Sequence, residues 1–158
     1  TPADQDGGLA GRYYLGDGGG IYNTARTRVG GGNNSRCCDW ASRLTLNNVT
    51  VSGNLAGNRG GGIYQDVEVD INVWIRITNG TIVDNFAQWN GGGLHFDFSS
   101  TNDNRRSWMR NTIVANNQVG TAGGGAQCAG SQQIGSGSLT ATTSKGFNII
   151  SDTSCTNT

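Results

Sequence analysis

The 158-residue sequence is poor in several residue types, and each scarcity excludes a class of protein. Only 14% of its residues are charged, against about 25% in a typical soluble domain. No run approaches the roughly 18 apolar residues that a membrane span needs. The first residues lack the basic and apolar pattern of a signal peptide. Eleven basic and eleven acidic side chains cancel, which argues against nucleic acid as a partner, because nucleic-acid binding needs a basic stripe.

Glycine is abundant, at 27 residues, but it does not recur at every third position, so a collagen helix is excluded. The polar residues are mainly Asn, Thr and Ser, which favour turns and strands over helices. No segment has the apolar periodicity of a helix, whereas short segments alternate between apolar and polar residues as strands do. We therefore predict an all-β protein whose residues 1–158 form one domain.

A repeat of 31 residues organises the chain. Residues 44–64, LTLNNVTVSGNLAGNRGGGIY, align without a gap with residues 75–95, IRITNGTIVDNFAQWNGGGLH. A third copy in 108–127 keeps this offset through Thr112 and Asn116, but its glycine triplet is displaced by one residue. The predicted repeats lie near 44–74, 75–106 and 107–127, with partial coils at 13–43 and 128–158.

Short strands that repeat in register must stack on one another to bury their apolar faces. Propeller blades are longer than this repeat, so the period favours a right-handed parallel β-helix, or solenoid, of roughly five coils. Equivalent residues then lie about 4.8 Å apart and form ladders. Inward, we expect Val51, Ile82 and Ile113. The other predicted ladders are an outward threonine column, Thr50, Thr81 and Thr112, and a corner column of asparagines, Asn54, Asn85 and Asn116.

Three motifs together resemble a known family. They are NGTIVDN, the strand that follows each glycine triplet, and the closing C…GFNIISDxxC. They are similar to the parallel β-helix repeats of large secreted surface proteins, of the polymorphic outer-membrane-protein and variable C-terminal anchor types, with a pectin-lyase-like fold. The resemblance implies an extracellular or cell-surface location, an adhesin or envelope role, and a disulfide between Cys128 and Cys155. Because the fold also hosts polysaccharide-cleaving enzymes, it does not decide activity.

The other two cysteines, Cys37 and Cys38, are adjacent. A vicinal disulfide, bonds to other chains, an internal bond and two buried thiols all remain open. A metal site is disfavoured because the sequence has one histidine, His95, and no CxxC spacing. His95 takes the position of Tyr64 one repeat earlier, so we expect it to be a ladder side chain. Four cysteines in a lysine-poor β-protein indicate an oxidising compartment.

The acidic residues Asp66, Glu68 and Asp70 alternate along one predicted strand, about 6.5–7 Å apart. This is near the carboxylate separation of inverting glycosidases, but a solvated acidic row is the simpler interpretation. Weak calcium binding by these three residues is the alternative, and no other cofactor is expected. Asp97 is expected to lack a partner in the neighbouring repeat. No GxSxG elbow or phosphate-binding loop is present, so we predict no enzymatic activity.

Tryptophan and arginine are enriched at protein contacts, and arginine stacks on aromatic rings. Aromatic rings equally suit sugar binding by stacking. The predicted interaction surface comprises Trp74, Arg76, Trp89, Arg105, Arg106 and Trp108. A short stack of strands has open ends, so the leading hypothesis is a secreted structural protein whose copies join end to end into a fibre or envelope layer. A carbohydrate-binding or adhesin module that recognises surface glycans is the alternative, and a polysaccharide lyase or hydrolase is the third.

Overall fold

A computed structural model describes residues 16–25, 43–67, 74–98, 107–121, 123–130, 142–144 and 146–155. Within these ranges the chain is all-β: it forms fifteen strands and no helix, and the strands pair in parallel. Across the same ranges, no helix has the length and apolarity of a membrane span.

The strands form four sheets. Sheet I has the order β1 (Ile21–Ala25), β5 (Ile63–Val67), β9 (Leu94–Phe98) and β13 (Cys128–Gly130). Sheet II has the order β2 (Arg43–Asn47), β6 (Trp74–Thr78), β10 (Ser107–Arg110) and β14 (Thr142–Ser144). Sheet III has the order β3 (Thr50–Ser52), β7 (Thr81–Val83), β11 (Ile113–Ala115) and β15 (Ile149–Ile150). Sheet IV has the order β4 (Leu55–Ala56), β8 (Phe86–Ala87) and β12 (Gln118–Val119).

The chain passes through the sheets in a fixed order. Strands β1 to β4 belong to sheets I to IV in turn, and β5 to β8 and β9 to β12 repeat that order. Each strand therefore pairs with its equivalent in the next repeat, as Thr50 does with Thr81 and Ile63 with Leu94. The alternation of apolar and polar residues sends one side chain of each pair inward, because successive residues of a strand point to opposite faces.

The apolar core lies between the sheets. It is built from the inward residues of sheets I to III, namely Val51, Ile63, Ile75, Ile77, Ile82, Leu94, Phe96, Met109, Val114 and Cys128. Valine, isoleucine and leucine dominate this set, and most of its members are fully buried. Burial of these side chains, at about 25 cal/mol per Å², is the main stabilising contribution to the stack.

The third repeat is shifted by one residue relative to the sequence alignment. Val114 pairs with Ile82 and is fully buried, whereas Ile113 pairs with Thr81 and is 38% exposed. The prediction that Ile113 points inward is therefore wrong, and so is the place of Thr112 in the outward threonine column, where Ile113 stands instead. A shift of one residue exchanges the two faces of a strand, so the buried Val114 identifies the correct register.

An asparagine ladder runs along a corner of the stack. The side-chain amide of Asn54 donates to Asn85 Oδ1 at 2.9 Å, and Asn85 donates to Asn117 Oδ1 at 2.9 Å. The backbone N–H groups of Asn54 and Asn85 donate to the same two oxygens. The third member is thus Asn117, and the prediction of Asn116 is wrong, because Asn116 donates to Asp84 instead. Asparagine suits this place because one amide both donates and accepts along the stack.

A second asparagine ladder lies where each strand of sheet II turns into sheet III. Asn79 Nδ2 donates to Asn48 Oδ1, and Asn111 Nδ2 donates to Asn79 Oδ1, both at 3.0 Å. All three residues have a left-handed backbone, with φ between 50° and 53°, which asparagine tolerates better than other residues with side chains. These equivalent turns show the same one-residue shift, because Asn111 stacks on Asn79 at a separation of 32 residues and not 31.

The glycine triplets allow backbones to approach each other closely. A Cβ on Gly61 would lie 2.4 Å from the carbonyl oxygens of both Phe86 and Gly92. The triplet Gly123–Gly125, however, does not align with the earlier ones. Leu94 pairs with Cys128, so Gly125 matches Gly91 and the next two places are taken by Ala126 and Gln127.

We expect the register to be measurable by a matched pair of truncations in β11. Val114→Ala removes two buried methyl groups and should lower the free energy of unfolding by about 2 kcal/mol. Ile113→Ala, on the adjacent but exposed side chain, should cost less than about 1 kcal/mol. Urea unfolding of both variants checks this, and a larger loss for Ile113→Ala would restore the register predicted from sequence.

Candidate functional site

The outer face of sheet I carries a column of stacked rings. The register pairs Tyr22 with Tyr64, and Tyr64 with His95. The ring centroids are 5.3 Å apart in the first pair and 5.4 Å apart in the second, and the planes are nearly parallel. Tyr64 and His95 are buried, whereas Tyr22, on the outermost strand β1, is 44% exposed. His95 is thus a ladder side chain at the position of Tyr64, as the repeat predicted.

Two carboxylates lie beside these rings. Asp66 and Asp97 are register partners two residues beyond the ring positions, so the prediction that Asp97 has no partner in the neighbouring repeat is wrong. Each carboxylate accepts a tyrosine hydroxyl from the preceding strand, Tyr22 to Asp66 and Tyr64 to Asp97, at 3.1 Å. The hydroxyl of Thr24 also donates to Asp66, at 3.4 Å.

Arg59, which precedes β5, links that strand to Asp17, just before β1, and to Asp97 in β9. Its guanidinium lies 5.1 Å from the centroid of the Tyr64 ring and forms ion pairs with Asp17 and Asp97. The Asp17 carboxylate also accepts the backbone N–H of Arg59, at 3.1 Å. We call Asp17, Tyr22, Arg59, Tyr64, Asp66, His95 and Asp97 the ring–carboxylate cluster.

The surroundings of Arg59 and Tyr64 each favour one protonation state. Burial by itself lowers the pKa of Arg59, but the hydrogen bond to Asp17 and nearby negative charges outweigh burial and raise the pKa, so Arg59 stays cationic. Burial raises the pKa of Tyr64, and Asp17 and Asp97 raise it further, so the phenol stays neutral and donates to Asp97.

His95 is the exceptional member of the cluster. It is 3% exposed, and neither ring nitrogen has a hydrogen-bond partner within the described part of the chain. Burial lowers the pKa of His95 to about 4, and the positive charge of Arg59 lowers it further, against a smaller opposing effect of Asp97. His95 is therefore neutral at pH 7, and its ring serves as a stacking surface for Tyr64.

The predicted acidic row is divided by the structure. Asp66 belongs to the ring–carboxylate cluster, while Glu68 and Asp70 lie outside the described residues. Among the residues that are described, no group of three or more His, Cys, Asp and Glu side chains is placed to hold a metal ion. Asp66 is half-buried and hydrogen-bonded, so the interpretation of a fully solvated row is wrong for this member.

The predicted interaction surface is brought together in part. The Arg76 guanidinium lies 5.7 Å from the centroid of the Trp108 ring, on neighbouring strands of sheet II. Arg43 and Arg110 are also exposed on this sheet. Trp89 follows β8 in sheet IV and is 48% exposed. The side chain of Trp74, and Arg105 and Arg106, lie outside the described residues.

The expected disulfide is present: Cys128 and Cys155 are bonded, with their Cα atoms 4.8 Å apart. Ser154 supports it, because its hydroxyl accepts the backbone N–H of Cys128 at 2.9 Å and donates to Asp152. Cys155 is partly buried against the core. Cys37 and Cys38 lie outside the described residues, so their state stays open.

Sequence reasoning missed Arg59 and Asp17 as functional residues. The signal is the residue before each glycine triplet, which is Asp17, then Arg59, then Asn90. An acid and a base in equivalent places of successive repeats predict a pair along the stack, because these places lie on adjacent strands.

Every carboxylate of the cluster accepts hydrogen bonds from other members of it, and Arg59 is paired twice. This arrangement holds successive strands of sheet I in register. Searches of protein-family models, of curated proteins and of solved structures found no match to this chain.

We predict that His95 makes the fold sensitive to acid. The unfolded state binds a proton near pH 6.5 and the folded state near pH 4, so stability is lost as the pH falls between these values. Between pH 7 and pH 4.5 the wild type should lose about 2 kcal/mol more than His95→Phe, which keeps the stacked ring. Urea unfolding at both pH values measures the difference. Equal losses would contradict a buried neutral His95, and the sequence has no other histidine.

We also expect Arg59 to stabilise the stack. Arg59→Gln leaves two carboxylates without their counter-charge, which should cost about 1–2 kcal/mol because the ion pairs are only partly exposed. Arg110→Gln, at an exposed position of sheet II, is the control and should change stability by less than about 0.5 kcal/mol. Thermal unfolding of the two variants compares them, and equal shifts would remove Arg59 from this role.

Proposed function

We propose that the four sheets are the walls of a right-handed parallel β-solenoid, in which one repeat is one coil. The fixed sheet order and the pairing of each strand with its equivalent one repeat later support this architecture. The right-handed sense follows from the strong preference of parallel crossover connections. The described strands supply three complete rungs and a fourth in sheets I to III, against the roughly five expected. The family of secreted β-helix surface proteins remains the resemblance that fits this proposal.

The function we propose is that of a non-enzymatic, extracellular structural protein whose copies associate through the ends of the solenoid. One observation carries it. In all four sheets the first and last described strands, β1 to β4 and β12 to β15, are paired on one side only. Unpaired strand edges promote association with further strands, and these assemblies would build a fibre or an envelope layer.

Two further properties support this proposal. The Cys128–Cys155 disulfide is typical of proteins that work in oxidising, extracellular surroundings. The net charge of zero removes the repulsion that would keep copies apart. The carboxylates Asp66 and Asp97 are engaged by hydroxyl and guanidinium groups of the same chain, which supports a structural role for them over turnover of a substrate.

A carbohydrate-binding or adhesin module is the second candidate, and the contact between Arg76 and Trp108 favours it. An aromatic ring beside exposed arginines on one sheet suits stacking with a sugar and pairing with its acidic groups. In this reading the protein binds surface glycans through sheet II, and its sheet ends carry no function.

We expect the two candidates to be separated by light scattering coupled to size-exclusion chromatography. Under non-reducing conditions, the structural proposal predicts a species heavier than the 16.5 kDa monomer whose fraction rises with protein concentration. Negative-stain micrographs of the same sample report whether longer assemblies form. A monomer at all concentrations, together with retention on an immobilised glycan array, would replace the structural proposal with the binding module.

A further inference from the structure

The two ends of the strand stack differ in how their ladders stop. We call the end formed by β1 to β4 the N-terminal end, and that formed by β12 to β15 the C-terminal end. At the C-terminal end, Phe147 takes the left-handed turn position of the outer asparagine ladder, with φ 56°, and Asn111 N–H donates to Gly146 as Asn79 N–H does to Arg110. Phenylalanine has no amide, so this ladder ends.

The inner ladder is also closed at the C-terminal end. Gln127 Oε1 accepts both the side-chain amide and the backbone N–H of Asn117. The amide nitrogen of Gln127 then donates back to the carbonyl oxygen of Asn117 at 3.3 Å. The disulfide to Cys155 and the Ser154 hydroxyl cover the neighbouring Cys128. The last amides of the inner ladder, those of Asn117 and Gln127, are thus bonded within the chain.

At the N-terminal end both asparagine ladders are open. Within the described ranges, Asn48 Nδ2 has no acceptor and Asn54 Oδ1 has no donor, whereas the equivalent atoms of the next repeat are bonded. The inward Ile21, Leu44 and Leu46 are only partly buried there. Their register partners in the next repeat, Ile63, Ile75 and Ile77, are at most 1% exposed.

The unpaired groups of the N-terminal end complement the same groups on a second copy of the chain. Asn48, a free donor, lies three residues before Val51, and Asn54, a free acceptor, lies three residues after it. Thr81 N–H donates to Val49 O, so alternation along β3 directs the backbone polar groups of Thr50 and Ser52 to the open edge. The Ser52 carbonyl oxygen already accepts the Asn54 side-chain amide, at 3.2 Å, and its second lone pair remains for a partner strand. Two β3 strands that pair antiparallel around Val51 would place Asn48 of one copy opposite Asn54 of the other.

We propose that a second copy of this chain pairs with the first through this N-terminal end, by a two-fold axis that crosses β3 at Val51. The proposal rests on the proposed self-association and specifies its geometry. A two-fold contact presents the same surface twice, which the spacing of Asn48 and Asn54 allows. The pair of copies, and not the single chain, is then the unit from which any larger assembly forms.

The charge of this end fits contact between identical copies. Residues 44–58 contain no charged side chain and no proline, the two features that usually protect an edge strand from pairing. Two copies that pair along residues 44–58 therefore bring no like charges together within that stretch. Head-to-tail contact is disfavoured, because Phe147 and Gln127 offer no free amide to the open asparagines.

The test removes the unpaired side-chain N–H donor of Asn48 and keeps the bond that this residue accepts from Asn79. Asn48→Asp retains an oxygen for the Asn79 amide, as Asp84 does for Asn116, and it replaces the free donor with a negative charge. We expect sedimentation equilibrium of the full chain to give twice the 16.5 kDa monomer mass for the wild type, and a dissociation constant at least tenfold higher for Asn48→Asp. Gln88→Glu introduces the same charge at an exposed position after β8, away from both ends, and should leave the dissociation constant unchanged.

A second control addresses the C-terminal end. Ile149→Lys places a charge on exposed β15 and should also leave the dimer intact. The thermal midpoint of each variant confirms that it is folded. A dimer insensitive to Asn48→Asp, or loss of the dimer in Ile149→Lys, would overturn this geometry while the proposed association survives. A wild type that stays monomeric would overturn both.

Discussion

Parallel pairing in register is the constraint on which the rest of this structure depends. Each residue of a repeat lies about 4.8 Å from its equivalent in the next repeat. Its side chain must therefore pack against an identical side chain or against the different residue that the next repeat places there. Asparagine meets this condition because it donates and accepts in one orientation, and two columns use it. Glycine meets it where backbones touch, as at Gly61, where no Cβ fits.

Carboxylates can occupy equivalent positions of successive repeats only when other groups offset their mutual repulsion. Asp66 and Asp97 are register partners, and like charges on adjacent strands repel each other. Tyrosine hydroxyls from the ring column and the guanidinium of Arg59 supply the hydrogen bonds and the positive charge that the two acids need. The ring column in turn requires planar side chains at consecutive positions, and a neutral histidine is acceptable there because it stacks on Tyr64. The cluster is therefore a direct consequence of the repeat.

The stack of paired strands must also end, and the side-chain ladders end differently at its two ends. Phe147 takes a position of the outer ladder with a side chain that does not extend it, and the amide of Gln127 accepts from Asn117 at the end of the inner ladder. The disulfide fastens the last described turn to β13. Asn48 and Asn54 lie at the other end with the same amide chemistry as the interior of the stack. The asymmetry links local side-chain choice to assembly, since only ladders with free groups can be continued by another strand.

The sequence by itself determined the period, the all-β class, the pairing of the first two full repeats and the position of His95 above Tyr64. These follow from local alternation and from exact spacing, which need no knowledge of the rest of the chain. Only the tertiary structure decided the register of the third repeat, where identical residues favour an offset of 31 but Val114, and not Ile113, fills the core. It also decided the ring–carboxylate cluster, because Arg59 and Asp97 are 38 residues apart and meet only when strands stack. Spacing along a chain records which residues repeat, whereas burial and charge pairing across the stack select which of them face each other.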